Sequence, residues 1–153
     1  MFADISSARN YRRIDERLIT AGQPDEAQLA SCAAGGTHVV INLALHDDPR
    51  YSLADERATV ESHGMTYVHI PVRFDAPAEN DLESFFNAMD EHAGHSVLVH
   101  CAANYRVAVF LALYRVVRQR WTEEAAFEFM RSVWEPDQVW SAFIDSVLER
   151  RRA

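Results

Sequence analysis

The chain has 153 residues, 48% of them apolar and 25% charged, which is the make-up of one globular domain, and no apolar run reaches the roughly 18 residues of a membrane helix. A formal net charge of -8 argues against nucleic-acid binding, which rests on basic patches facing phosphates. The opening MFADISSARNYRRIDERL has no long apolar segment behind a basic start, so a cytoplasmic setting without a signal peptide is expected, with Cys32 and Cys101 as reduced thiols.

No repeat or Pro/Gly/Ser-rich tract divides the chain, and residues 1–153 are expected to fold as a single domain. Residues 11–21 read as one or two short extended pieces with a turn at Asp15-Glu16. After the Gly22-Gln23-Pro24 turn, Asp25 with Gln28 three residues on matches a capping box, and the helix it starts should run to Gly35-Gly36. The Val- and Ile-rich run 38–43 reads as a buried strand. A second helix is expected over 53–62, ending near Gly64, and a strand over 65–72, stopped by Pro71. Asp81 is expected to cap a helix whose Leu82, Phe85, Phe86 and Met89 share one face. Residues 97–100, VLVH, form the third buried strand, and VAVFLALYRVV after Arg106 is apolar nearly all round, as a central helix would be. One further helix starts at Thr122 and another carries Pro136 in its first turn. Strands alternating with helices imply an α/β fold: a mostly parallel central sheet flanked by helices, with a helical C-terminal third.

In such folds ligands sit beyond the carboxyl ends of strands, and the loop 101–106 falls there. A short loop between a buried strand and a helix N-terminus turns successive backbone N–H groups into one concavity with positive potential. Arg106 adds a planar fork suited to a tetrahedral oxyanion. A cysteine at its mouth feels the same field, so Cys101 is expected to be a thiolate near neutral pH. His100 is expected to support the loop by hydrogen bonding, and Cys32 to pack on the first helix.

At these residues the sequence resembles the cysteine-dependent protein tyrosine phosphatase superfamily. It resembles especially the compact dual-specificity branch and a bacterial phosphatase-like family sometimes fused to metallo-β-lactamase-type domains. YRRIDERLITAGQPDEAQL with VVINL looks like the opening of that bacterial family, HIPV like the strand before the acid loop, and VLVHC like the catalytic strand. The resemblance implies a dual-specificity phosphatase-like fold and a two-step reaction. Cys101 attacks phosphorus, Arg106 and the amides of Ala102, Ala103, Asn104 and Tyr105 hold the equatorial oxygens, and water hydrolyses the phosphocysteine. It implies no metal or other cofactor, and a phosphorylated small molecule or phosphoprotein as partner. The general acid expected of the family falls in RFDAPAENDLESF, where Asp75 is the best match; Glu79 and Asp81 compete, Asp81 ranking lower because an N-cap role already explains it.

The family's usual loop puts five residues between Cys and Arg and a hydroxyl residue after the Arg. Here four residues intervene and Val107 follows, which predicts slow breakdown of the phosphocysteine; Asn104 is expected to take the left-handed conformation a glycine would otherwise adopt. A spacing of four resembles rhodanese-like sulfurtransferases instead, so a Cys101 persulfide is the second reading, and a non-catalytic oxyanion-binding module the third. Gln23 looks like the family's early Gln, bordering the pocket or serving as a turn residue. His46, Asp47 and Asp48, without a second ligand pair at metal spacing, are expected to form a solvated loop. Tyr105 either walls the pocket or packs outward under Phe74. Trp121, Trp134 and Trp140 are expected in the core, and the terminal ERRRA is read as a favourable basic end to the last helix.

Overall fold

The computed structural model describes residues 4–50 and 52–152, the side chain of Arg152 aside, so the final Ala153 of the basic tail lies outside the described residues. Five strands form one sheet: β1 (Arg12–Arg13), β2 (Leu18–Ala21), β3 (Val39–Asn42), β4 (Thr66–His69) and β5 (Val97–His100). Their order is β1-β2-β5-β3-β4, parallel throughout except for the edge strand β1, which pairs antiparallel with β2. The helices are α1 (Glu26–Ala34), α2 (Glu56–Ser62), α3 (Glu79–Glu91), α4 (Tyr105–Val117), α5 (Glu123–Val133) and α6 (Gln138–Arg152), preceded by a 3₁₀ turn, Ile5–Ser7. This is the mostly parallel α/β architecture with a helical C-terminal third.

Strand alternation divides the core. Val39 and Ile41 of β3 with Val97 and Val99 of β5 face α3, α4, α5 and α6, whereas Val40 and Leu98 face the 3₁₀ turn, α1 and α2. The first face buries α4 so completely that Val107 through Leu113 are essentially inaccessible. A helix apolar on every side is stable only in such a place. The same alternation puts His100, two residues beyond Leu98, on the α2 side of the sheet, and Asn42 likewise beyond Val40.

Local signals set the helix ends in several cases. Asp25 accepts the Gln28 amide at 2.7 Å while the Gln28 side chain accepts the Asp25 amide at 2.9 Å, the reciprocal capping box. Thr122 accepts from the Ala125 amide and caps α5. Other expectations need correction. Asp81 does not cap α3: the helix begins at Glu79 behind Ala78, and Asp81 lies within its first turn, where its own amide already reaches the Ala78 carbonyl at 3.1 Å. Its carboxylate still suits the positive end of the helix dipole, which is why sequence alone mistakes it for a cap. The helix expected from residue 53 starts at Glu56, behind Asp55 in the left-handed region (φ 50°, ψ 51°). In α6 the Asp137 carboxylate accepts the Trp140 amide at 2.9 Å, which leaves Pro136 just outside the helix. Trp121 is not a core residue: it is 40% exposed, its ring covered by the Arg115 guanidinium at 4.1 Å.

Candidate active site

The loop after β5 is held from the N-terminal side of the chain. The Gln23 amide donates to the Ala102 carbonyl at 3.0 Å, the Asn10 side chain to the Ala103 carbonyl at 2.9 Å, and the Cys101 amide to the Ala21 carbonyl at 3.3 Å. The turn at Gly22 passes so close that a Cβ there would sit 2.6 Å from the Ala102 carbonyl oxygen, which requires glycine. Asn104 adopts the expected left-handed conformation (φ 69°, ψ 5°) as the residue entering α4. It is fully buried, and its side-chain amide donates to the Asn10 carbonyl at 2.8 Å and to Thr20 Oγ1 at 2.9 Å. An amide spanning two neighbouring elements stabilises a conformation that a side chain without donors would resist.

Cys101 ends up 1% exposed at the base of a cavity of about 140 Å³ shared with Phe74, Ala102, Ala103, Tyr105 and Arg106. That volume exceeds the space of two or three waters, about 60 to 90 Å³, so a small tetrahedral oxyanion fits. The Ala102 and Ala103 amides donate to no acceptor among the described residues. Arg106, 7% exposed, gives one terminal nitrogen to the Val72 carbonyl at 2.8 Å, while its buried Nε has no partner. A buried donor left unpaired beside a cavity, as Arg106 Nε is, is costly unless something accepts from it. An adjoining groove of about 230 Å³ runs from Ala102 and Arg106 past Phe74 to Leu45, Asp47 and Asp48. A larger cavity, about 430 Å³, lies at the opposite ends of the strands beside Leu18 and Val97 and holds no cysteine.

Aromatic rings wall the site. Tyr105 stacks flat on Trp134, ring centres 4.6 Å apart and planes 3° from parallel, and meets Phe74 at 6.5 Å. It therefore both lines the cavity and packs outward. Phe74, 39% exposed, lies 5.9 Å from the Arg106 guanidinium. Fully buried Trp140 donates its indole N–H to the Phe74 carbonyl at 2.8 Å. The loop after β4 is thus bolted at Val72 by Arg106 and at Phe74 by Trp140.

The expected acid stands apart from this cradle. Asp75 is exposed, bound through both carboxylate oxygens to Arg73 at 3.1 and 3.0 Å, and lines neither cavity. The Arg73 hydrogen bonds hold its carboxyl below the ordinary range. Glu79 pairs with Arg150 of α6, and burial pushes the Asp81 carboxyl up. In the His46-Asp47-Asp48 loop, Asp48 pairs with Arg50 at 2.8 Å, while His46 and Asp47 are exposed, His46 reaching Asn42 (2.8 Å) and stacking on His69 at 4.6 Å. No group of three potential metal-ligating side chains converges among the described residues.

Gln23 does not border the cavity. Its side chain donates to Glu56 Oε1 at 2.7 Å, and Glu56 Oε2 lies 2.6 Å from His100 Nε2. Both Glu56 and His100 are wholly inaccessible, and His100 Nδ1 lies 3.3 Å from the Cys101 carbonyl oxygen. Sequence reasoning anticipated a supporting His100 but missed Glu56, because a glutamate in the first turn of a short helix reads as a surface charge. Cys32 packs among the residues facing α1, and burial pushes its thiol up to about 12.

Residues 10–117 match the family model described as beta-lactamase hydrolase-like protein, phosphatase-like domain. The beta-lactamase hydrolase-like protein of Xylella fastidiosa (strain Temecula1 / ATCC 700964) is 33% identical over 109 residues, 70% of this chain and 25% of the relative. The chain therefore spans about a quarter of the length of the curated relatives it matches. Among solved structures, the DUF442 phosphatase candidate of Shewanella putrefaciens CN-32 superposes with a TM-score of 0.84 at 33% identity, covering 95% of each chain. TpbA of P. aeruginosa, crystallised in complex with pTyr, shares the fold with a TM-score of 0.71 at 21% identity, covering 96% of this chain and 91% of its own.

Proposed function

Because the chain belongs to the beta-lactamase hydrolase-like protein, phosphatase-like domain family, we propose that it hydrolyses phosphate monoesters through a phosphocysteine on Cys101. The observation that carries this reading is the buried cradle itself. Cys101 shares one small cavity with the Arg106 guanidinium, whose Nε is unpartnered, next to two amides that donate to nothing else among the described residues. In the first step the Cys101 sulfur attacks phosphorus, the ester P–O bond breaks, and the leaving oxygen takes a proton from a carboxylic acid. In the second, water attacks phosphorus, the S–P bond breaks, the water's proton passes to that carboxylate, and inorganic phosphate departs. Arg106 and the loop amides carry the charge that collects on the equatorial oxygens in both steps.

Asp75 is the proposed acid. Its pairing with Arg73 keeps it ionised in this arrangement, so to act its side chain has to leave Arg73 and turn toward Cys101, beyond the anchored Phe74 carbonyl. Without a hydroxyl after Arg106 the departing thiolate lacks an internal proton donor, which slows the second step. The substrate is a phosphorylated small molecule or phosphoprotein whose flat portion packs on Phe74 and Tyr105. The four-residue spacing also favours a second reading, in which Cys101 carries a persulfide.

Hydrolysis of an aryl phosphate tests the proposal. Activity that disappears in Cys101→Ser and falls by about 10²- to 10³-fold in Arg106→Ala supports it. No release above background anywhere from about pH 5 to 8 overturns it. Thiocyanate formation from thiosulfate and cyanide, with a persulfide mass on Cys101, establishes the second reading instead.

A further inference from the structure

The fully buried Glu56 takes no part in the reaction just described, yet it reaches the residue next to the nucleophile. We propose that Glu56 is a positioning residue of the Cys101 site: it holds His100 as a buried imidazolium, whose second N–H fixes the Cys101 carbonyl and whose charge favours the Cys101 thiolate. This rests on the reading of Cys101 as the nucleophile.

The geometry supplies the partners of both ring nitrogens. His100 Nε2 faces a carboxylate oxygen at 2.6 Å and His100 Nδ1 faces a backbone carbonyl oxygen at 3.3 Å. The carbonyl only accepts, and the Glu56 carboxyl, held below its ordinary value and so ionised, only accepts as well; a neutral ring would then press one lone pair against an acceptor, whereas a proton on each nitrogen satisfies both contacts. Glu56 is satisfied in turn, its second oxygen taking the Gln23 side-chain N–H at 2.7 Å. The remaining titratable or charged groups around Glu56 are His46 from the loop after β3 and Tyr67 from β4, with Arg57 of its own helix over the Tyr67 ring at 5.0 Å. Burial and the neighbouring His69 push His46 down, and burial with the Glu56 charge pushes the Tyr67 phenol up. The ring in direct contact with the Glu56 carboxylate, at 2.6 Å, is His100. Although burial opposes its ionisation, the charge and hydrogen bond of His100 with the Gln23 amide hold the Glu56 carboxyl below its ordinary value.

Stability does not account for the arrangement. Burying an ion pair costs desolvation that its attraction often fails to recover, and an apolar pair of like volume serves a core at least as well. The chain also enters α2 through Asp55 in a left-handed conformation, with no side-chain cap, to bring Glu56 inward. Strain at a non-glycine residue persists where it delivers something useful. What it delivers is orientation: with its carbonyl bonded to His100, the Cys101 peptide turns its acceptor away from the cradle.

The test is the pH profile of iodoacetamide alkylation at Cys101, followed by mass spectrometry, in the native protein, Glu56→Gln and Glu56→Asp. Cys32, with its thiol pushed up to about 12, stays silent. Removing a buried carboxylate acting simply through space would favour the thiolate and move the profile to lower pH. Acting through His100, the Gln variant loses about ten-fold in rate near pH 6, recovers at high pH, and the Asp variant regains part of the loss. A profile in Glu56→Gln that is unchanged or moved downward overturns the role of Glu56 alone. A native protein whose Cys101 reacts only like an ordinary thiol overturns the nucleophile reading as well. Nitrogen-15 shifts of His100 in the native protein need no variant: two protonated ring nitrogens at pH 6 to 7 support the proposal, and one bare nitrogen overturns it.

Discussion

Replacing Asn104 separates what its conformation contributes from what its hydrogen bonds contribute. In Asn104→Gly the left-handed φ of 69° costs nothing, but the bonds to the Asn10 carbonyl and Thr20 Oγ1 are lost. At about 1 kcal/mol net for each, the loss is about 2 kcal/mol. In Asn104→Ala the same two bonds go, and a residue without a local hydrogen-bonding side chain must hold the left-handed conformation at a further 1 to 2 kcal/mol or so, for a total of about 3 to 4. Urea unfolding resolves this. With a slope of about 2 kcal/mol per molar, the midpoint falls by about 1 M for Gly and about 1.5 to 2 M for Ala, the slope itself unchanged. If Ala is no worse than Gly, the backbone at 104 relaxes freely and the left-handed entry to α4 is not what shapes the loop. If neither variant is destabilised, the buried amide does not tie the loop to β2 and the N-terminal segment.

Three other outcomes follow from the same geometry. Gly22→Ala forces a Cβ to within 2.6 Å of a backbone carbonyl that cannot yield cheaply, so aryl phosphate hydrolysis falls by at least ten-fold through displacement of the loop; full activity would show that the turn and the loop do not need their close approach. Asp75→Asn lowers the rate about 10²-fold or more for an alkyl phosphate but little for a nitrophenyl ester, whose leaving group needs no proton; equal losses on both, or none on either, would exclude Asp75 as the acid. Glu56 makes stability pH-dependent. Its folded carboxyl titrates below the ordinary value of 4.5, so its contribution is complete above that value and disappears as pH falls through the folded one; urea midpoints of the native protein should drop more steeply below pH 4.5 than those of Glu56→Gln, and parallel curves would refute the linkage.

Much of this protein is local in origin and so legible along the chain. A capping box needs only residues three apart, which is why Asp25 and Gln28 announce α1 without any tertiary information. The buried runs at β3 and β5 and the all-round apolar α4 declare a parallel sheet packed on both faces, because nothing else shields them from water. Cys101, Arg106 and a left-handed Asn104 are likewise readable, since a strand, a short loop and a helix are contiguous. Where several residues offer the same local chemistry, sequence is ambiguous. Asp81 carries the capping chemistry, yet α3 begins behind Ala78, which has none, and only the backbone path shows it. Trp121 is as apolar in sequence as Trp140, yet one lies under an arginine at the surface and the other bolts the Phe74 loop.

Local pattern, then, determined the layered α/β architecture, the position of the loop 101–106 at the strand ends, and the cysteine and arginine in it. Folding alone decided what lies behind and around that loop: Glu56 against His100 across 44 positions of sequence, Asn104 against Asn10 across 94, and Asp75 turned to Arg73 instead of to the cradle. The reason is physical. Short-range rules act through backbone geometry shared by every helix and strand, whereas a buried charge or an unpaired donor acquires its partner only when distant segments close over it and exclude water.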